Sequence, residues 1–228
     1  MAFKDKHAPS IFFKFLLSTG ILLGTLIPFL QMSGHGEFLT QFLNLKRIDG
    51  DPCRQILIVM FSLIYLLRFV LCMFVFVKRK IGWIEGSLVS ILFFMMFYLF
   101  NTSAGSHFES IGLIDMVGIA LYFAGSYINT LADYQRYVWK RRSENAGRLY
   151  SKGLFKYSMH INYFGDSILY VGLAVLTLEY VCLFVSTGIV LNFLFYQIPL
   201  LDKHLRGKYS EEFDEYSKRT KRFIPFVY

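Results

Sequence analysis

Apolar runs of membrane-crossing length constrain this chain more than any other feature. Residues 11–30, 55–77, 111–131 and 180–201 approach or exceed the about 20 residues that a helix needs to cross a bilayer core. Shorter runs at 86–100 and 163–178 complete a set of six. Inside lipid every backbone amide must be satisfied within its own segment or in a closed barrel, and uninterrupted runs without period-2 alternation select helices. The expected fold is therefore all-α: a polytopic transmembrane helix bundle of about six spans, forming one integral-membrane domain over residues 1–228. The last two runs are separated by little more than Glu179, which predicts a tight helical hairpin. The first run is too long for a signal-peptide core, and no small-residue cleavage site follows it.

Composition agrees: 55% of residues are apolar and only 18% are charged, against about 25% in soluble domains. The net charge of +8 is unevenly placed. Lys4 and Lys6 precede the first run, and Lys78, Arg79 and Lys80 follow the second. Arg136, Lys140, Arg141, Arg142, Arg148, Lys152 and Lys156 follow the fourth. Lys203, Arg206, Lys208, Lys218, Arg219, Lys221 and Arg222 follow the sixth. The opposite loops carry no such excess. Six spans with both termini cytoplasmic satisfy the positive-inside bias at every loop. The basic excess thus reads as loop charge rather than as a nucleic-acid surface. The membrane expected is the endoplasmic reticulum in a eukaryote or the inner membrane in a bacterium. Cys53, Cys72 and Cys182 fit no zinc or redox spacing, so they read as packing residues and no metal is expected. Asn101-Thr102-Ser103 is a glycosylation sequon on the expected outer side.

Polar residues inside or beside such runs are the candidates for chemistry, because a membrane interior tolerates them only against a partner or a cavity. Asn129 and Asp133 are four apart and share a helix face. Asp133 either faces the bundle interior or pairs with Arg136 or Lys140 at the headgroup level. The basic residues after it suit either a solvated loop or a phosphate-bearing ligand. The stretch 153–166, GLFKYSMHINYFGD, crowds Tyr157, His160, Asn162, Tyr163 and Asp166 at the mouth of the fifth run. Interfacial anchoring accounts for the tyrosines, but not for Asp166, which lies four residues after Asn162 inside an apolar run. In the second run Arg68 needs an internal partner, for which Asp133, Asp166 and Asp115 are available, and Tyr65 shares its face.

With these residues in place the chain resembles the steroid 5α-reductase C-terminal domain family, from about residue 55 to 228. That family belongs to a wider superfamily with sterol C14-reductases and with isoprenylcysteine and phospholipid methyltransferases. The blocks INTLADYQ, GLFKYSMHINYFGD and KYSEEFDEYSKRTKRFIPFVY carry the resemblance, in that order. It implies an NADPH-dependent reductase of a lipid-like or steroid-like enone. Asn129 and Asp133 would contact NADPH, Arg148 with neighbouring cations such as Lys140 would support its phosphates, and Asn162 and Asp166 would hold the nicotinamide end. Tyr209 would reach the cofactor, and Tyr157 and His160 join the same binding set. Tyr65 would donate to the substrate carbonyl, with Arg68 completing the pattern. Tyr65 and Asp166 are the expected catalytic side chains.

The chain departs from the family at four places. Asp166 stands where Glu is usual, and Met159 and Ile161 stand where many members have Arg and Pro. Met32 follows Phe29-Leu30-Gln31 where steroid-reducing members have Glu, leaving Glu37 as a possible substitute near the substrate. Two other readings stay open: a methyltransferase of the same superfamily using S-adenosylmethionine, and a non-catalytic member that binds a lipid or a partner.

Overall fold

The computed structural model describes residues 10–34, 37–42, 44–77 and 80–228. Lys4, Lys6, Lys78 and Arg79 lie outside the described residues, as does the side chain of Glu37, the first residue of a short helix. The described residues form helices and no strand: α1 (Ile11–Ser33), α2 (Glu37–Phe42), α3 (Pro52–Leu71), α4 (Trp83–Gly105), α5 (Leu113–Lys140), α6 (Ile161–Leu176), α7 (Tyr180–Asn192), α8 (Ile198–Tyr209) and α9 (Glu211–Arg219). Single π-helical turns extend α3 over Cys72–Phe76 and join α7 to α8 over Phe193–Gln197.

Five stretches are long and apolar enough to cross a membrane: Ile11–Ser33, Pro52–Phe76, Trp83–Gly105, Leu113–Lys140 and Tyr180–Tyr209. This is an integral membrane protein of the all-helical class. The fifth expected span corresponds to α6, whose 16 residues extend only about 24 Å, short of the about 30 Å hydrocarbon core. In contrast, α4 runs past the apolar segment that marked it, because Asn101 and Thr102 satisfy themselves inside the helix. Thr102 Oγ1 donates to Tyr98 O at 2.9 Å and Asn101 Nδ2 to Phe97 O at 2.8 Å. Asn101 is fully buried and also donates to Ser62 Oγ at 3.0 Å. That engagement overturns the reading of Asn101 as a glycan acceptor, since an acceptor side chain must be reachable from solvent. Of the cysteines, Cys72 and Cys182 are buried while Cys53 is exposed.

The chain divides into two compact units. The first, among the described residues, comprises Leu121–Val171 and Ser186–Tyr228. The second comprises the described residues up to Ala120 together with Gly172–Val185. Within the second unit, α1 and α4 pack at glycine contacts. A Cβ on Gly20 would stand 2.4 Å from Ser90 O, and one on Gly24 would stand 2.6 Å from Phe94 O. Small residues at such places let membrane helices approach to backbone contact, where dispersion rather than a hydrophobic effect holds them. Ser90 Oγ adds a bond to Leu16 O at 2.7 Å.

The start of α3 is fixed by Asp51, whose carboxylate accepts from Arg54 N at 2.9 Å, with Pro52 at the first helical position. The expected hairpin is present: Thr177 Oγ1 donates to Ala174 O and accepts from Glu179 N, turning the chain at Leu178. Leu178 has φ of 57° there. The same unit buries an ion pair. Arg54 donates to both Asp115 oxygens, at 2.6 and 2.9 Å, and to the carbonyls of Glu109, Ser110 and Leu176.

Candidate functional site

The first unit holds most of the residues marked by the sequence. Two glycines set its geometry. A Cβ on Gly125 of α5 would lie 2.4 Å from both Gly165 O and Leu169 N of α6, and one on Gly165 would lie 2.6 Å from Asn129 N. All these neighbours are backbone atoms, so the two helices touch main chain to main chain. One turn beyond Gly125, Asn129 is buried and donates from Nδ2 to Asn162 O at 3.0 Å. Asn162 Nδ2 reaches Asp133 Oδ1 at 3.5 Å, and Asp133 also accepts from Arg136 Nη2 at 2.7 Å. Asp166, half-buried, follows Asn162 by four residues on α6, so it shares that face. The two asparagines and Asp133 expected at one site therefore meet. The Asp133–Arg136 pairing foreseen as the alternative is also present, and one arrangement accommodates both.

A second group gathers around the end of α5. Lys140 Nζ donates to Tyr209 OH at 2.9 Å and also to Arg148 O. The Arg148 guanidinium is 65% exposed, its Nε 3.6 Å from Glu212, and Leu149 N donates to the other oxygen of Glu212 at 2.7 Å. Lys140, Arg148 and Tyr209, named separately from the sequence, thus form one cationic corner. Eleven residues of α5 separate Asn129 from Lys140, about 16 Å along the axis.

Between them the chain 150–161 is held by groups that the sequence did not single out. Gln135 Oε1 accepts from Leu154 N at 2.9 Å and fills the space against Gly153, whose φ is 57°. Tyr216 OH donates to Phe155 O at 2.5 Å, and burial pushes this phenol's pKa up, so it acts as a fixed donor.

His160 and Tyr157 are placed differently from the asparagine cluster. His160 is buried, with Nε2 2.7 Å from Asp202 Oδ1, and Asp202 Oδ2 accepts from Arg222 Nε at 2.9 Å. Burial by itself would lower the Arg222 pKa, but hydrogen bonding with Tyr228 and the Asp202 charge outweigh it and raise the value. The backbone of this stretch pairs with the C-terminal segment: Met159 N donates to Lys221 O and His160 N to Arg222 O. Tyr157 packs against Phe226 with tilted rings whose centres are 5.4 Å apart. Asp202 was not anticipated, although a single carboxylate just after an apolar run was a signal that could have found it. Met159 and Ile161 join an apolar cluster with Ala132, Tyr150, Phe155, Phe213 and Tyr216. Both places where the sequence departs from that resemblance are therefore filled by packing residues.

Tyr65 and Arg68 belong to the second unit. Tyr65 is 2% exposed on α3, with Phe97 4.9 Å and Phe69 6.1 Å from its ring centre, and the Arg68 guanidinium lies 5.2 Å over its face. Asp115, one of the carboxylates offered for Arg68, belongs instead to Arg54. Met32 packs in the space over Gly105, where an added Cβ would stand 2.2 Å from its terminal methyl. The side chain of Glu37, the expected substitute near the substrate, lies outside the described residues.

A family model described as "Protein of unknown function (DUF1295)" matches residues 77–220. No curated protein matches the chain.

Proposed function

Since the chain belongs to the DUF1295 family of proteins of unknown function, and the matched region holds Asn129, Asp133, Arg148, Asn162, Asp166 and Tyr209, we propose that it is a membrane-embedded NADPH-dependent reductase. It reduces the C=C bond of a lipid-like enone. The observation that carries this reading is the meeting of α5 and α6 at Asn129, Asp133 and Asn162, with a cationic corner about 16 Å further along the same α5.

The residues fit such a cofactor in kind. Amide donors and carboxylates of Asn129, Asn162, Asp133 and Asp166 suit the polar nicotinamide end. Lys140 and the exposed guanidinium of Arg148 suit phosphates, to which Arg binds as a planar fork. The cofactor, when bound, supplies the hydride; the protein supplies binding, orientation and exclusion of water. Within that division Asn129 is held by its bond to Asn162 O, so its position is set before any ligand arrives. Asp133 is held from one side by Arg136 and keeps its second oxygen for a ligand donor. Tyr65, by the resemblance, donates to the substrate carbonyl as negative charge develops there. Such a donor stabilises the transition state most in a water-poor setting.

Titration of the purified chain in mild detergent with NADPH and with S-adenosylmethionine tests the reading, backed by mass spectrometry of copurified ligands. NADPH binding is expected. Binding of S-adenosylmethionine without NADPH would transfer the site to a methyltransferase, and binding of neither would leave a non-catalytic member. Asp133→Ala is expected to weaken NADPH about tenfold or more, as loss of a charged hydrogen-bond partner does. Its folding should change little, because the Arg136 it abandons is 39% exposed. Affinity equal to wild type would sink the assignment of Asp133. Tyr65→Phe is expected to cut turnover of enone lipids by about a hundredfold, the scale of one lost transition-state donor, with NADPH affinity retained. Loss of NADPH binding in that variant would mean that Tyr65 is structural.

A further inference from the structure

Beneath the His160–Asp202–Arg222 network the first unit opens a cleft of about 710 Å³ between α8, α9 and the C-terminal segment. Six cations line it: Lys203, Arg206, Lys218, Arg219, Lys221 and Arg222. Asp202 is the only acidic side chain among its lining residues. None of Asn129, Asp133, Asn162 or Arg148 lines it, so it is separate from the cofactor reading above.

The positive-inside bias explains why cations follow the last span. It does not explain why they converge on a cleft, nor why, among the described residues, four of the six have no ion pair. Arg206 is paired with Asp214 at 2.9 Å, Arg222 with Asp202, and Arg219 donates to Ser151 Oγ. Among the described residues Lys203, Lys218 and Lys221 have neither an ion pair nor a side-chain hydrogen bond. Lys221 is nonetheless fixed in place, since its carbonyl accepts from Met159 N at 2.8 Å. The three lysines therefore leave the lining net positive, and Asp202, which lines the cleft, is tied to the buried His160 at 2.7 Å.

The rim adds a second signature. Val227 and Tyr228 line the same cleft, and Val227 is 70% and the neighbouring Phe226 76% exposed. Exposed apolar side chains beside a cationic cleft suit a ligand with an anionic head and an apolar body. The cleft also stands at the end of Tyr180–Tyr209, the last stretch long enough to cross a membrane, where a headgroup is within reach. We infer that this cleft binds the phosphate headgroup of an anionic phospholipid of the cytoplasmic leaflet. The lysines would engage the phosphate oxygens, and Phe226, Val227 and Tyr228 would enter the headgroup–acyl boundary. Basic pockets at this depth are a recurring means of recognising anionic lipids.

The test uses the full chain in mild detergent, read by native mass spectrometry during titration with phosphatidylglycerol, phosphatidylcholine or free pyrophosphate. Wild type is expected to retain phosphatidylglycerol in preference to phosphatidylcholine. The triple variant K203Q/K218Q/K221Q is expected to lose about a hundredfold in that affinity, at about 1 kcal/mol for each basic residue facing an anionic surface. The triple Lys→Arg variant should keep it, and NADPH binding should be unchanged in both. Equal retention of the two lipids, or full phosphatidylglycerol binding by the glutamine variant, overturns the proposal. Saturation by pyrophosphate with no lipid preference overturns the lipid as ligand and assigns the cleft to a soluble phosphate. A defect in NADPH binding that tracks the lysine changes overturns the separation of the two sites.

Discussion

Arg54→Ala is expected to destabilise the protein by about 3–5 kcal/mol, the usual result of leaving one member of a buried ion pair behind. The side chains of Arg54 and Asp115 are only 1% and 2% exposed, and they meet through two parallel bonds. Asp115 also accepts from Gly112 N at 2.8 Å, and the guanidinium ties down the carbonyls of Glu109, Ser110 and Leu176. Removing Arg54 strands a carboxylate and takes a donor from each of those three carbonyls at once. Thermal unfolding in detergent, followed by the monodisperse fraction that survives heating, measures it. Asp115→Ala should be comparably damaging. The double variant R54L/D115L should recover part of the loss, because it removes the charge together with its partner. If Arg54→Ala unfolds within a degree of wild type, the pair does not brace this unit.

Gly165→Ala is expected to cost about 2–3 kcal/mol, and its effect should reach the candidate site. The new methyl group would meet Asn129 N at 2.6 Å and Gly125 O at 2.9 Å. These are backbone atoms of a helix and cannot rotate away, so α5 and α6 must separate. That separation would break the 3.0 Å bond from Asn129 to Asn162 O, and NADPH affinity should fall together with stability. Gly188 supplies the control. It lies inside α7 with open space where its Cβ would stand, so Gly188→Ala should be neutral or stabilise by up to about 1 kcal/mol through helix propensity. Equal behaviour of the two variants would remove the argument that main-chain contact positions Asn129.

The locations of the long helices were legible in the sequence because hydrophobic length is a local property. So was the pairing of faces within one helix: Asn129 with Asp133, and Asn162 with Asp166, follow from a spacing of four. The hairpin at Leu178 could also be read, since only a tight turn fits between two apolar runs so close together. The extent of α4 could not, because Asn101 and Thr102 look like loop residues until their bonds to Phe97 O and Tyr98 O are seen.

Partner choice between distant segments was decided by the tertiary structure. Nothing local distinguishes Arg54 from Arg68 as the cation that claims Asp115, 61 residues away from Arg54; the choice depends on which helix faces meet. The same holds for His160 and Asp202, 42 residues apart, and for the cleft assembled from lysines on α8, on α9 and beyond. By itself the sequence determined that this chain crosses a membrane as helices and where its polar residues interrupt them. The tertiary structure decided which of those polar residues neutralise one another and which do not. The physical reason is range: helix formation and membrane partition act within one segment, whereas a buried charge is stabilised only by a partner that packing brings within about 3 Å.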